Sequence, residues 1–195
     1  RVSCSAPEGL NLRAQASELP AVAAGEEGRI LLAAEAMKPF AEPPTLILNY
    51  SVRGVSSTVN VKLPISVLSF STPLPSDKEQ YMARWKAIVA EKTENQETFA
   101  SSKPVDASLM QHIRERLMPA ARVGVASGLD NERTFTGSAT FNTGTTGADG
   151  KAIAVGALLR LEADFNGSKF RITVRATHPT VSAAVKDFFV HQLSQ

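Results

Sequence analysis

A chain of 195 residues has room for one large domain or two small ones, and its 43% apolar and 21% charged residues are ordinary globular values. A formal net charge of +2 is too small to indicate a nucleic-acid or membrane-surface partner. No apolar run approaches the roughly 18 residues that span a bilayer, so direct membrane insertion is not expected.

Several sequence features indicate the cellular compartment of the protein. Cys4 cannot form an internal disulfide, which fits a reducing environment. Asn49 and Asn166 carry the glycosylation acceptor pattern, but that pattern is common by chance. Because the chain begins with Arg1 and shows no signal-peptide pattern, we expect a fragment of a longer cytosolic protein.

The first part of the chain, residues 1–70, alternates apolar and polar side chains as β-strands do. The alternation is clearest over residues 46–51 and 58–63, whereas the run 31–37 is ambiguous between strand and helix. About five strands are visible, and an immunoglobulin-like sandwich has about seven. We therefore predict a partial antiparallel β-sandwich whose missing strands precede Arg1.

A helix is predicted to begin just after Pro75. Ser76 and Glu79 form the Ser-x-x-Glu pattern in which two side chains cap each other's backbone amides. One face of this helix is apolar and aromatic, and its members are Tyr81, Met82, Trp85, Ile88 and Val89. This face is either a stripe that packs into the core or the floor of a peptide pocket, since tryptophan is enriched at binding hot spots.

The remaining elements mix strands and helices without regular alternation, which predicts an α+β second half with an antiparallel sheet flanked by helices. Strands are predicted at 97–100, 122–126, 134–142, 152–162 and 169–176, with a polar connection at 143–150. Asp106 caps a helix that Pro119 ends, and Pro179 opens the last helix. The predicted domains are thus a β-sandwich at 1–70 and a platform at 71–195.

Patterns typical of enzymes and cofactor sites are missing from the sequence. His112, His178 and His191 lack metal-ligand spacing. The glycine-rich stretch 144–150 lacks the Gly-Lys-Ser/Thr ending of a phosphate loop, and no nucleophile elbow is found. We predict no catalytic residue, no metal and no cofactor.

Arginines recur on the last two predicted strands. Period-two alternation puts Arg171 and Arg175 on one face, and Arg160 and Glu162 share a face of the preceding strand. If the strands pair through a turn at 166–167, three arginines gather on one sheet face. That face is either an ordinary solvated surface or, beside an exposed tryptophan, a receptor for an aromatic and acidic ligand.

Four segments carry a resemblance to a known family. They read Val-Lys-Leu-Pro-Ile at 61–65, Tyr-Met-Ala-Arg-Trp-Lys at 81–86, Leu-Leu-Arg-Leu-Glu at 158–162 and Phe-Arg-Ile-Thr-Val-Arg at 170–175. In order and spacing they resemble the C-terminal appendage of alpha-adaptin, the large subunit of the plasma-membrane clathrin adaptor. The resemblance runs from about Val2 to the C-terminus and is loose between residues 101 and 152.

The resemblance implies a β-sandwich followed by a platform that binds Asp-Pro-Phe/Trp and Phe-x-Asp-x-Phe peptides of endocytic accessory proteins. The family's peptide-binding positions fall on Tyr81, Met82, Trp85, Arg160, Glu162, Arg171 and Arg175, and its glutamate on the far side of the helix falls on Glu94. Tyr81-Met82 replaces two phenylalanines, so we expect the pocket to persist and leave its motif preference open. The implied setting is cytoplasmic, peripheral at coated pits, joined to the adaptor complex through the parent chain, with no nucleic acid.

Two alternatives stay open at this stage. The appendage of another adaptor or of a coatomer subunit would share the architecture and bind other motifs. A secreted β-sandwich or carbohydrate-binding protein is supported by the patterns at Asn49 and Asn166, and sugar on either residue would place the chain in the secretory pathway.

Overall fold

The computed structural model describes residues 1–18, 20–88, 93–148, 150 and 152–195. It has the predicted α+β composition, with antiparallel pairing between its named strands. Two compact units are present, Arg1–Ser66 and Val67–Gln195. The domain boundary placed at residue 70 stays a prediction about where independently folding parts meet.

Among the described residues of the first unit, every named element is a strand. Its strands are β1 (Val2–Ser5), β2 (Leu10–Ala14), β3 (Leu32–Ala36), β4 (Thr45–Val52) and β5 (Val55–Lys62). They form a three-stranded sheet in the order β1-β4-β5 and a two-stranded β2-β3 sheet. The ambiguous run 31–37 is therefore mainly a strand. The buried apolar side chains described in this unit include Val2, Leu10, Ala36, Phe40 and Leu46.

The β4–β5 hairpin follows from its turn residues. Arg53 and Gly54 both have positive φ, 50° and 82°, which suits a two-residue hairpin turn whose twist matches that of the strands. The alternation of β5 is present, but the strand is exposed along its whole length. Val59 and Val61, apolar members of this alternation, are 40% and 41% exposed.

The second unit is organised around one six-stranded sheet. Its strands are β6 (Ser71–Pro73), β7 (Glu94–Ala100), β8 (Gly124–Val125), β9 (Thr134–Thr146), β10 (Ala152–Asp164) and β11 (Lys169–Ala176). The order is β6-β9-β10-β11-β7, and β8 pairs with β9 beside β6. The polar stretch predicted as a connection is half strand, because its β-branched threonines extend β9 to Thr146.

Helices surround this sheet. A 3₁₀ turn at Val67–Phe70 opens the unit, followed by α1 (Lys78–Ala87), α2 (Ala107–His112), α3 (Met118–Ala120) and α4 (Pro179–Leu193). A π-helical turn, Ile113–Leu117, joins α2 to α3. This helical stretch ends at Ala120, one residue after Pro119, so its end agrees with the prediction to within one residue. Asp106 and Pro179 begin their helices as predicted.

The cap of α1 differs from the prediction. Asp77, not Ser76, is the N-cap, and its carboxylate accepts a hydrogen bond from the Gln80 amide at 2.8 Å. A carboxylate also interacts favourably with the positive end of the helix dipole. Ser76 is held in an extended bridge to Ala126 and is buried. Val89, which was predicted to widen the apolar face, lies outside the described residues.

Strand alternation gives the sheet two different faces. Leu159 lies opposite Val174 and Leu161 opposite Ile172, and these side chains are fully buried on the face that carries α4. Leu158 points to the other face, where it packs with α1. The residues predicted to bind peptide lie on this second face.

Candidate functional site

Three arginines lie on one face of the sheet, as the alternation predicted. In the β10–β11 register, Arg175 is opposite Leu158, Thr173 is opposite Arg160, and Arg171 is opposite Glu162. Directly opposed residues of an antiparallel pair point to the same side. The side chains therefore project toward the face that α1 covers.

Tyr81 attaches α1 to this face. Its side chain is 2% exposed, packs with Leu158, and donates a hydrogen bond from its hydroxyl to the Leu159 carbonyl at 2.9 Å. Burial raises the pKa of the Tyr81 phenol, so the hydroxyl stays protonated and remains a donor. Tyr81 is thus a core residue of the face.

Trp85 lies one turn further along and has a different environment. Its ring stacks on Tyr81 with centroids 5.6 Å apart and planes 22° apart, yet the residue is only half-buried. The core interpretation of this helix face therefore applies to Tyr81. Tyr81 fills the core, whereas Trp85 is only partly buried beside it.

Arg175 also contacts the Trp85 ring. Its guanidinium carbon lies 4.5 Å from the Trp85 ring centroid, Nη1 donates to the Trp85 carbonyl at 2.9 Å, and Nε donates to Glu94 at 2.6 Å. The resemblance implied that Glu94 lies on the far side of the helix. In the structure, Glu94 instead begins strand β7, directly opposite Arg175. Because both charged side chains are mostly buried, 22% and 24% exposed, this pair holds the tryptophan in place.

Glu162 connects the remaining two arginines. Its two carboxylate oxygens accept hydrogen bonds from Arg160 Nη2 and Arg171 Nε, each at 2.8 Å. Both arginines are about half exposed, at 48% and 51%. Exposed ion pairs add little stability. Their effect here is to fix the direction of Arg160 at the surface.

A cavity of about 230 Å³ opens between these groups. Its described lining residues are Tyr81, Met82, Trp85, Leu129, Asn131, Thr134, Thr136 and Arg160. We call this cavity the Trp85 pocket. Four of the predicted site residues line this pocket, namely Tyr81, Met82, Trp85 and Arg160. Glu94 and Arg175 support Trp85 without lining the pocket. Glu162 and Arg171 lie further along the same sheet face.

Four lining residues were missed by sequence reasoning. Thr134 and Thr136 lie opposite Glu162 and Arg160 in the β9–β10 register. Their position on this face therefore follows from the antiparallel pairing of these two strands. Leu129 and Asn131 lie in the connection between β8 and β9. A connection has no periodicity, and no sequence signal marks them.

Asp130 fixes that connection from within. One carboxylate oxygen accepts hydrogen bonds from the Thr136 amide and hydroxyl at 2.7 and 2.9 Å. The other is buried without a hydrogen-bond partner among the described residues, and the nearest charge is Arg114 Nη2 at 4.0 Å. Burial is the main cause that raises the pKa of the Asp130 carboxyl. Leu129 and Asn131 are thereby placed at the pocket wall.

The rest of the described chain offers weaker sites. A larger cavity of about 810 Å³ lies along β4 and β5 of the first unit, but Arg1 is the only charged residue among those lining it. Among the described residues, no group of three or more acidic, histidine or cysteine side chains is arranged to hold a metal. No described helix has both the length and the hydropathy needed to cross a membrane.

Comparison with known proteins gives a family match over most of the second unit. The family model described as "Alpha adaptin AP2, C-terminal domain" matches residues 69–193. The AP-2 complex subunit alpha-2 of Dictyostelium discoideum is 26% identical over 155 residues, covering 79% of this chain and 15% of that protein. The subunits alpha-2 and alpha-1 of Arabidopsis thaliana are each 28% identical over 151 residues, covering 75% of this chain and 14% of theirs. The chain therefore spans about one seventh of the relatives it matches.

Proposed function

Because this chain belongs to the alpha adaptin AP2 C-terminal domain family, we propose that it is a non-enzymatic interaction module that binds short peptides in the Trp85 pocket. The peptides are of the Asp-Pro-Phe/Trp or Phe-x-Asp-x-Phe type and belong to endocytic accessory proteins. The parent chain would place the module in a clathrin adaptor, on the cytoplasmic side of coated pits at the plasma membrane.

The observation that carries the proposal is the half-buried Trp85, whose ring stacks on Tyr81 and lies against the Arg175 guanidinium at the edge of the pocket. An aromatic side chain of the peptide can pack against this ring and Met82, which is 38% exposed. The ring is rigid because both of its neighbours are themselves fixed. Little conformational entropy is therefore lost when a peptide binds.

Arg160 supplies the complementary charge. Its side chain lines the pocket and is 48% exposed, so a peptide carboxylate can reach the guanidinium without displacing buried groups. The hydroxyls of Thr134 and Thr136 and the amide of Asn131 add polar groups at the same wall. An aromatic floor beside a cationic rim matches a motif in which aromatic and acidic residues are close neighbours.

Met82 adapts the pocket to its ligand. Methionine is unbranched and makes favourable contacts between its sulfur and aromatic rings. In the position where the family has a phenylalanine, it can follow the shape of different aromatic side chains. We therefore expect the chain to accept both motif types with similar affinity.

The test is a calorimetric titration of both peptide types into the wild type and the Trp85→Ala variant. A single motif covers little surface, so we expect a Kd of about 10–100 μM for the wild type. Loss of a central aromatic anchor should weaken binding by about 2 kcal/mol or more. Lys86→Ala, which changes an exposed residue of the same helix outside the pocket lining, is the matched control. Equal binding by wild type and Trp85→Ala would refute the proposal.

A further inference from the structure

Helix α1 has a second flank that the Trp85 pocket does not use. Neighbouring helical residues point about 100° apart, so Arg84 projects to a different side from Trp85. A second cavity, of about 220 Å³, lies on that side between the end of α1 and the sheet. We call it the Arg84 groove and define it by Leu74, Arg84, Ile88, Gly156 and Leu158.

The groove exists because Gly156 has no side chain. A Cβ built on this residue meets no atom within 4 Å, so the space above the strand is open there. Gly156 shares the α1 face of β10 with Leu158, two residues further on. Its φ is not among the positive values of the described glycines, so a side chain could be accommodated without backbone strain.

Arg84 places a charge in this otherwise apolar space. Its Nη1 is buried and has no hydrogen-bond partner among the described residues. Apart from Arg84 and Thr177, the described lining residues have apolar side chains or are glycine. A buried cationic donor without an acceptor is unfavourable, and a carboxylate is the group that satisfies a guanidinium best.

We propose that the Arg84 groove is a second peptide-binding site, which takes an internal Asp or Glu next to a large apolar residue of a partner protein. The apolar side chain occupies the space over Gly156, and the carboxylate accepts hydrogen bonds from Arg84. Small-molecule pockets have volumes of about 300–1,000 Å³, so a space of 220 Å³ suits one peptide side chain instead. The groove lies on another flank of α1 and does not require the Trp85 pocket to function.

The proposal is tested by selecting a phage-displayed library of random eight-residue peptides on the wild type and, separately, on Gly156→Val. A valine fills the open space and suits a strand. We expect one class of peptides to be recovered from the wild type alone and to contain an acidic residue beside a large apolar one. Failure to recover such a class, or its equal recovery from both proteins, would overturn the proposal.

Titrations of the selected peptides then separate charge from shape. Arg84→Gln should weaken binding at least tenfold, and Lys86→Gln, which removes the same charge from an exposed neighbour, should leave it unchanged. Amide shifts of residues 156–158 should move on binding, and Trp85→Ala should have no effect. Binding that survives Arg84→Gln, or shifts centred on Trp85, would contradict a separate site. If Gly156→Val does not melt cooperatively, Gly156→Ala serves as the smaller obstruction, with partial loss expected.

Discussion

Arg175 has a structural role beside the Trp85 pocket. It stacks on Trp85, bonds the Trp85 carbonyl and pairs with Glu94. Arg175→Ala should lower the free energy of unfolding by about 1.5–3 kcal/mol, the usual value of hydrogen bonds to charged groups. Arg175→Lys should recover only part of the lost free energy of unfolding, because an ammonium group lacks the planar set of donors of a guanidinium. Chemical denaturation of the three proteins checks this, and full recovery by lysine would contradict it.

Glu94 allows support of Trp85 to be separated from direct contact with the ligand. It pairs with Arg175 but does not line the Trp85 pocket. Glu94→Gln should therefore weaken peptide binding less than Trp85→Ala does, while lowering the melting temperature. Parallel melts and peptide titrations measure both effects. A loss of binding as large as that of Trp85→Ala, without loss of stability, would show that Glu94 contacts the peptide directly.

Asp130 makes stability depend on pH. Because burial raises the pKa of its carboxyl, the folded state binds the proton more tightly than the unfolded state. Its favourable contribution is complete below the unfolded pKa of about 3.9 and is lost as the pH rises through the raised folded pKa. Asp130→Asn keeps an oxygen acceptor for Thr136 without the buried charge.

We therefore expect Asp130→Asn to be more stable than the wild type near pH 7. The difference should shrink as the pH falls through the raised folded pKa toward about 4, below which the wild-type carboxyl is protonated in both the folded and the unfolded state. Urea denaturation at a series of pH values gives the two curves. A variant that is less stable at pH 7 would mean that the Arg114 ion pair outweighs the cost of burial.

Within the six-stranded sheet, replacing two glycines by alanine should change the stability in opposite directions. A Cβ on Gly124 of β8 would lie 2.6 Å from the Pro75 nitrogen and 2.8 Å from the Leu74 carbonyl carbon, both backbone atoms that cannot move aside. Gly124→Ala should thus cost about 1–3 kcal/mol, as overpacking usually does. Gly156→Ala meets open space and should be neutral or stabilise by up to about 1 kcal/mol. Thermal melts of the two variants measure these effects. Equal melting temperatures would contradict the close backbone contacts at Gly124.

The elements show what periodicity can and cannot predict. The faces of β10 and β11 were predictable because alternation and a turn at 166–167 together define the register. The capping residue of α1 was predicted wrongly, because the bridge between Ser76 and Ala126 is a contact distant in sequence that no local pattern encodes. The same limit explains the pocket wall at Leu129 and Asn131, whose position depends on the buried Asp130.

At the scale of the whole molecule, two cavities on separate flanks of α1 suit weak, repeated contacts. Each would bind one short motif, so a partner with several motifs gains from effective concentration and needs no strong single contact. Arg160, which lines the Trp85 pocket, is half exposed, so salt should weaken motif binding there. The Arg84 donor is buried, and binding at that groove should be less sensitive to salt.

Where the second unit begins is a question that two fragments can answer. Val67 and Leu68 lie in the 3₁₀ turn that contacts β9 and α4, and they are 1% and 6% exposed. The Ser71 hydroxyl also donates to the Val67 carbonyl. A fragment of residues 67–195 keeps these contacts, whereas one of residues 71–195, the boundary predicted from sequence, removes them.

We expect both fragments to fold and the shorter one to be less stable. Burying a valine or leucine side chain contributes about 1.5–3 kcal/mol each, so losing both should cost several kcal/mol. Trp85 lies in neither deleted segment, so peptide affinity at a temperature where both are folded should be equal. Denaturation and titration of the two fragments measure the two quantities. Equal stability would mean that the turn does not stabilise the second unit, and unequal affinity in the folded state would mean that the turn affects the Trp85 pocket.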